Sequence, residues 1–139
     1  MSAPSEQCQV VELPLPAGGY DGGVMDIEVV DGETVYYGSY HERDADGQEH
    51  QRVVIWRGLD GDPEPVDPGF GGWSDIALEL TATGLINGVS EDVNFGSPIP
   101  WVIDLGTGEV TVVDTTPGKA RDRSDMWVRR INDTGAVVG

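Results

Sequence analysis

The sequence predicts an all-β protein built from four-stranded antiparallel, blade-like repeats, and three observations carry that prediction. A segment recurs, since Val24 to Gly38 aligns without a gap on Ser74 to Gly88 at an offset of 50, and the stretch ending at Gly139 aligns on Ile76 to Gly88 at an offset of 51. Each copy alternates apolar and polar residues with the period of two that a pleated strand requires. Finally, 20 Gly and 9 Pro in 139 residues punctuate the chain too often for long helices and too irregularly for collagen.

Taken in chain order, residues 1–9 read as a flexible N-terminal arm and Val10 to Leu13 as a short outer strand. Ile27 and Val29 alternate with acids, Asp31-Gly32 supplies turn chemistry, and Val35-Tyr36-Tyr37 returns as the second strand of a hairpin. Val53-Val54-Ile55-Trp56 is a third strand, and Pro65-Val66 is the outer strand that opens the next unit. The second copy repeats the scheme. Ile76, Leu78 and Leu80 alternate, Thr83-Gly84 turns, Leu85-Ile86 returns, and Ile99 to Ile103 carries the tryptophan, Trp101. Val110 to Val113 opens a third unit, whose hairpin runs through Ile131 and Val137. Four short strands per roughly 50 residues is the pattern of a propeller blade. The units are therefore 10–63, 64–109 and an incomplete 110–139, forming a partial β-propeller, with a β-sandwich as the alternative. An incomplete blade exposes a sheet edge, which predicts self-association or completion by a missing chain segment unless Val10 to Leu13 covers it.

The stretch from Phe70 to Ser90, and more closely Ile131-Asn132-Asp133-Thr134-Gly135-Ala136-Val137-Val138-Gly139, resembles the HAF repeat of probable extracellular proteins. Arg52 to Trp56 and Ser97 to Trp101 stand where that family carries its His-Ala-Phe triplet. The resemblance implies propeller-like blades and an extracellular or secreted setting, and it implies no shared catalytic residues. Ser2 to Cys8 also reads like a mature N-terminus left by removal of a signal.

Composition narrows the function classes. An apolar fraction of 38% suffices for a core, and no run approaches a membrane span. Twenty-five acidic residues against eight basic ones give a formal charge of −17, which repels phosphate backbones and anionic lipid. Nucleic acid and membrane surfaces are excluded as partners on that basis. The single cysteine, Cys8, cannot form a disulfide within the chain or contribute to a thiolate metal cluster.

Candidate chemistry lies in loops. Asp44, Asp46 and Glu49 could offer three oxygens to calcium, but a solvated Asp-Gly turn explains the same letters, so no cofactor is expected. His41 and His50 flank that loop and could meet across its base at a metal, although no third ligand has a fixed spacing. Nucleophile elbows and phosphate-binding loops are missing from the sequence. Gly18-Gly19-Tyr20 and Gly71-Gly72-Trp73 look equivalent, each presenting an aromatic beside an acid, Asp21 or Asp75. Tyr20, Trp73, Asp21 and Asp75 are thus the candidate ligand-binding residues, with stacking on a sugar or a partner's side chains as their chemistry. The function expected is a non-catalytic binding or scaffold module of an exported protein, contacting a protein or carbohydrate through blade loops. The rival is a glycoside or other hydrolase with carboxylates at the ring centre.

Overall fold

The computed structural model describes residues 8–70, 74–91, 98–113, 130–132 and 137–138. Its described elements are all strands: β1 (Tyr20–Val30), β2 (Glu33–Arg43), β3 (Glu49–Arg57), β4 (Glu64–Val66), β5 (Ser74–Leu80), β6 (Leu85–Glu91), β7 (Ile99–Asp104), β8 (Val110–Val112), β9 (Arg130–Ile131) and β10 (Val137–Val138). They form two four-stranded antiparallel sheets in sequential order, β1-β2-β3-β4 and β5-β6-β7-β8, and the pair β10-β9. The all-β, repeated-sheet architecture read from the sequence is the one observed. Glu64–Val66 pairs with β3 and Val110–Val112 with β7, so each outer strand completes the sheet before it. Val10 to Leu13, expected as a strand, is not one. No described strand pairs with it, and Leu13 packs against the first sheet instead.

Local chemistry accounts for the strands. Asp31 and Gly32 both take positive φ (51° and 80°) in a two-residue turn, the geometry that matches the twist of a tight hairpin. The two hairpins differ in length in a way the gap-free alignment concealed. Gly38 pairs with Val24 and Gly88 pairs with Ala77, so the returning strands are offset by 50 but the leading strands by 53. Each leading strand also carries a register shift, between Val24 and Asp26 in β1 and between Ala77 and Glu79 in β5. An extra residue there reverses the alternation, and this is why Ala77 and Leu80 are buried in the core while Ile76 and Leu78 are only half-buried.

The same registers equate Tyr36 with Ile86, Val54 with Trp101, and Trp56 with Ile103. The two tryptophans therefore stand two residues apart in the repeat, on the same face by the period of the pleat. In the second sheet this front face, with Ala77, Ile86, Trp101 and Ile103, packs against the back of the first, where Val35, Tyr37, Val53, Ile55 and Val66 lie. The front of the second sheet thus covers the back of the first. On the back of the second sheet, the Ile131 backbone N–H donates to Glu79 at 3.1 Å, and the Ile131 side chain is buried. The front of the first sheet has no such neighbour among the described residues.

Candidate functional site

That front face carries a concavity. A turn at Pro16 to Gly19, closed by the Gly19 N–H on the Pro16 carbonyl at 2.8 Å, directs the N-terminal segment back over the sheet. Leu13 and Leu15 pack beside Val54, Trp56, Tyr36 and Tyr40. The Trp56 indole Nε1–H donates to the Pro14 carbonyl at 2.6 Å and pins the segment in place. Between that segment and residues 21–24 of β1 lies a groove of about 370 Å³, lined by Glu12, Leu13 and Leu15 on one side, Asp21 and Val24 on the other, and Trp56. A Cβ at Gly22 would press on the end of the Leu15 side chain across this wall.

Tyr20 sits beside this groove, half-buried at the start of β1. Its hydroxyl donates to Glu49 Oε2 at 2.5 Å, and the Arg43 guanidinium lies 5.7 Å from its ring centroid. The hydrogen bond from Tyr20 holds the Glu49 carboxyl below its ordinary pKa, and the same bond raises that of the Tyr20 phenol. The His41 ring stands 6.1 Å away, with Nδ1 donating to the Asp21 carbonyl at 3.3 Å. Asp21 itself takes φ 49°, a left-handed conformation uncommon for a residue with a side chain. Tyr20 and Asp21 are thereby brought together at one rim.

Asp75 lies elsewhere and does a different job. It is 1% exposed, accepts from Ser90 Oγ at 2.6 Å, and meets Arg52 Nη1 at 3.2 Å. The Trp101 indole donates to Ser90 at 2.9 Å, and Arg52 Nε donates to Glu42 at 2.8 Å. This buried chain ties β3 of the first sheet to β5, β6 and β7 of the second. Burial raises the Asp75 pKa, against the lowering effects of Ser90 and Arg52. The expected likeness between Asp21 and Asp75 does not extend to their surroundings, and Trp73 lies outside the described residues, as do Gly71, Gly72 and Trp127.

The acidic hairpin tip satisfies itself. Asp44 Oδ1 accepts the backbone N–H groups of Asp46 and Gln48, both at 2.9 Å, and Oδ2 accepts from His50 Nε2 at 2.8 Å. The His50 hydrogen bond is the main reason the Asp44 pKa is lowered. His41 pairs with Gln51 and His50 with Glu42, so pleat alternation turns the two imidazoles to opposite faces rather than toward a shared metal. Among the described residues, no group of three or more His, Cys, Asp or Glu side chains is arranged to hold a metal ion.

The open apolar front was not singled out by sequence reasoning. The available signal was Leu13 and Leu15 alternating just upstream of a hairpin whose strand faces are already apolar. No family model, no curated protein and no solved structure matches this chain.

Proposed function

We propose that this chain is a non-catalytic binding module of a propeller-like repeat protein, engaging a protein partner through the open front of its first sheet, with Tyr20 and Asp21 at the rim. The observation that supports this reading is the exposure of one continuous strand: Val24, Met25, Ile27 and Val29 are each about half exposed. Patches of this kind on a folded domain mark interaction surfaces. The groove beside them supplies a tryptophan, two leucines and two acids, and its lining includes no serine, cysteine or histidine to act with the acids as a nucleophile or a base. Complementary contact is the chemistry such a surface supports. An extracellular setting belongs to the same reading and rests on the repeat resemblance.

The test compares capture of partner proteins by the unaltered chain and by Ile27→Asp, with far-UV circular dichroism confirming that both fold. A defined protein ligand retained by the first and lost by the second is the expected result. Capture untouched by Ile27→Asp and by Tyr20→Ala would overturn the reading.

A further inference from the structure

Among the described residues no strand pairs with the outer edge of β1, and that edge has a specific chemistry. Val30 and Glu33 close the two-residue turn as partners, so Val30, Glu28 and Asp26 bond toward β2 and the N–H groups of Ile27 and Val29 point away from the sheet. Those two donors are occupied by short-range substitutes, Ile27 N–H on Asp26 Oδ1 at 2.8 Å and Val29 N–H on Glu28 Oε1 at 3.0 Å. Each carboxylate is thus held against the residue that follows it, covering an edge that would otherwise pair with another strand.

The two faces of this edge differ. Ile27 and Val29 lie opposite Tyr36 and Thr34 and are 52% and 53% exposed. Asp26 and Glu28 lie opposite Tyr37 and Val35, on the other face. Near Tyr37, both acids help raise the pKa of its phenol, after burial as the main cause. One side of the strand is therefore apolar and the other acidic, with strict alternation from Asp26 to Val29.

From this arrangement we infer that β1 is a strand-addition site for an extended peptide segment that alternates apolar and basic residues, a partner class that rests on the binding-module reading above. Carbonyls of the incoming strand accept from the Ile27 and Val29 N–H groups, displacing Asp26 and Glu28. The released carboxylates then face the Lys or Arg side chains of the same strand, and its apolar side chains cover Ile27 and Val29 as cross-strand neighbours. Charge complementarity favours such a partner over a second copy of this chain, whose formal charge is −17. The acids act as a gate: they shield the edge from nonspecific pairing and become contacts for a strand of the right pattern.

The test titrates a capped synthetic peptide of alternating valine and lysine against the full chain, with an alternating valine and glutamate peptide as the control, and follows backbone amides by NMR. The expected result is saturable binding of the lysine peptide, slowed exchange at the Ile27 and Val29 amides, and weakening of about tenfold on moving from low to physiological salt. Asp26→Asn with Glu28→Gln should reduce affinity to a similar degree by removing two charge pairs. Ile27→Pro should abolish binding by deleting an edge donor that proline leaves structurally dispensable on an edge strand. Equal binding of both peptides, no binding, or binding insensitive to Ile27→Pro would overturn strand addition. So would protection of these amides without peptide in a concentration-dependent dimer, which would make a second copy the occupant. Failure of the peptides with Ile27-dependent protein capture intact defeats strand addition alone, whereas loss of both removes the module reading too.

Discussion

Ile27 and Leu80 hold equivalent places in the two sheets, yet Ile27 is 52% exposed and Leu80 is 4% exposed. Val24 and Ala77 differ in the same way, at 47% and 0%. Strand propensity does not distinguish these pairs. What separates them is whether a neighbouring sheet lies in front, and among the described residues only the second sheet has one. The same repeat position is thus core where a described sheet packs on it and half exposed where none does.

The largest effect that can break this comparison comes from Gly38 and Gly88. A Cβ at Gly88 would strike the Ile76 carbonyl and the Trp101 ring, and one at Gly38 would strike the Gly23 carbonyl. Trp101 is buried and hydrogen-bonded, so the second sheet has little room to yield. β1, with an open front and edge, can move outward. Gly88→Ala is expected to cost about 3 kcal/mol and Gly38→Ala about half of that. Urea denaturation of both variants measures it, and equal losses would mean that the open face gives the first sheet no extra compliance.

Trp56 and Trp101 offer a smaller contrast. Replacing Trp101 with Phe leaves Ser90 Oγ, buried beside Asp75, without its indole donor. The expected destabilisation is about 2 kcal/mol. In Trp56→Phe the orphaned group is the carbonyl of Pro14, an exposed residue that water can reach, and about 1 kcal/mol is expected. The Trp56 variant should also loosen Leu13 and Leu15 over the groove, seen as faster proteolysis of the N-terminal segment in native conditions.

These pairs also explain which features were legible in the sequence. Asp31-Gly32 announced a hairpin because turn geometry is local. Alternation around Ile27, Leu80 and Val54 announced strands for the same reason. Nothing local marks Met25 and Leu78 as the residues where register shifts, so the gap-free alignment sets the leading strands three residues out. Val10 to Leu13 has strand composition, but composition supplies no partner, and no described strand pairs with it. Asp75 was legible as an acid beside an aromatic and not as a buried tie, because its partners Arg52 and Ser90 lie 23 and 15 residues away. The paired glycines before Tyr20 were legible as a turn, and Pro16 to Gly19 forms one. The exposed front depends on how the described sheets stack in three dimensions, which periodicity cannot encode.

The smallest expected effect is a difference of sign between Asp44, in the first sheet's hairpin, and Asp75, at the edge of the second. Burial raises the folded-state pKa of Asp75 above the ordinary 3.8, so the folded protein binds the proton more tightly than the unfolded chain. Stability from this group is fully present below 3.8 and declines as pH rises through the folded value. Asp44 behaves oppositely, because its bonds to His50 and to the Gln48 and Asp46 amides lower its pKa from 3.8. Its contribution is present above 3.8 and is lost as pH falls through the folded value. Urea midpoints measured between about pH 3 and 6 should therefore shift in opposite directions in the two single variants. Asp75→Asn should remove a component that falls with rising pH, making the profile climb more steeply. Asp44→Asn should remove a component that rises, making it flatter. Profiles altered in the same direction would show that Arg52 outweighs desolvation at Asp75, and that the inter-sheet tie is an ion pair of the same kind as the exposed one.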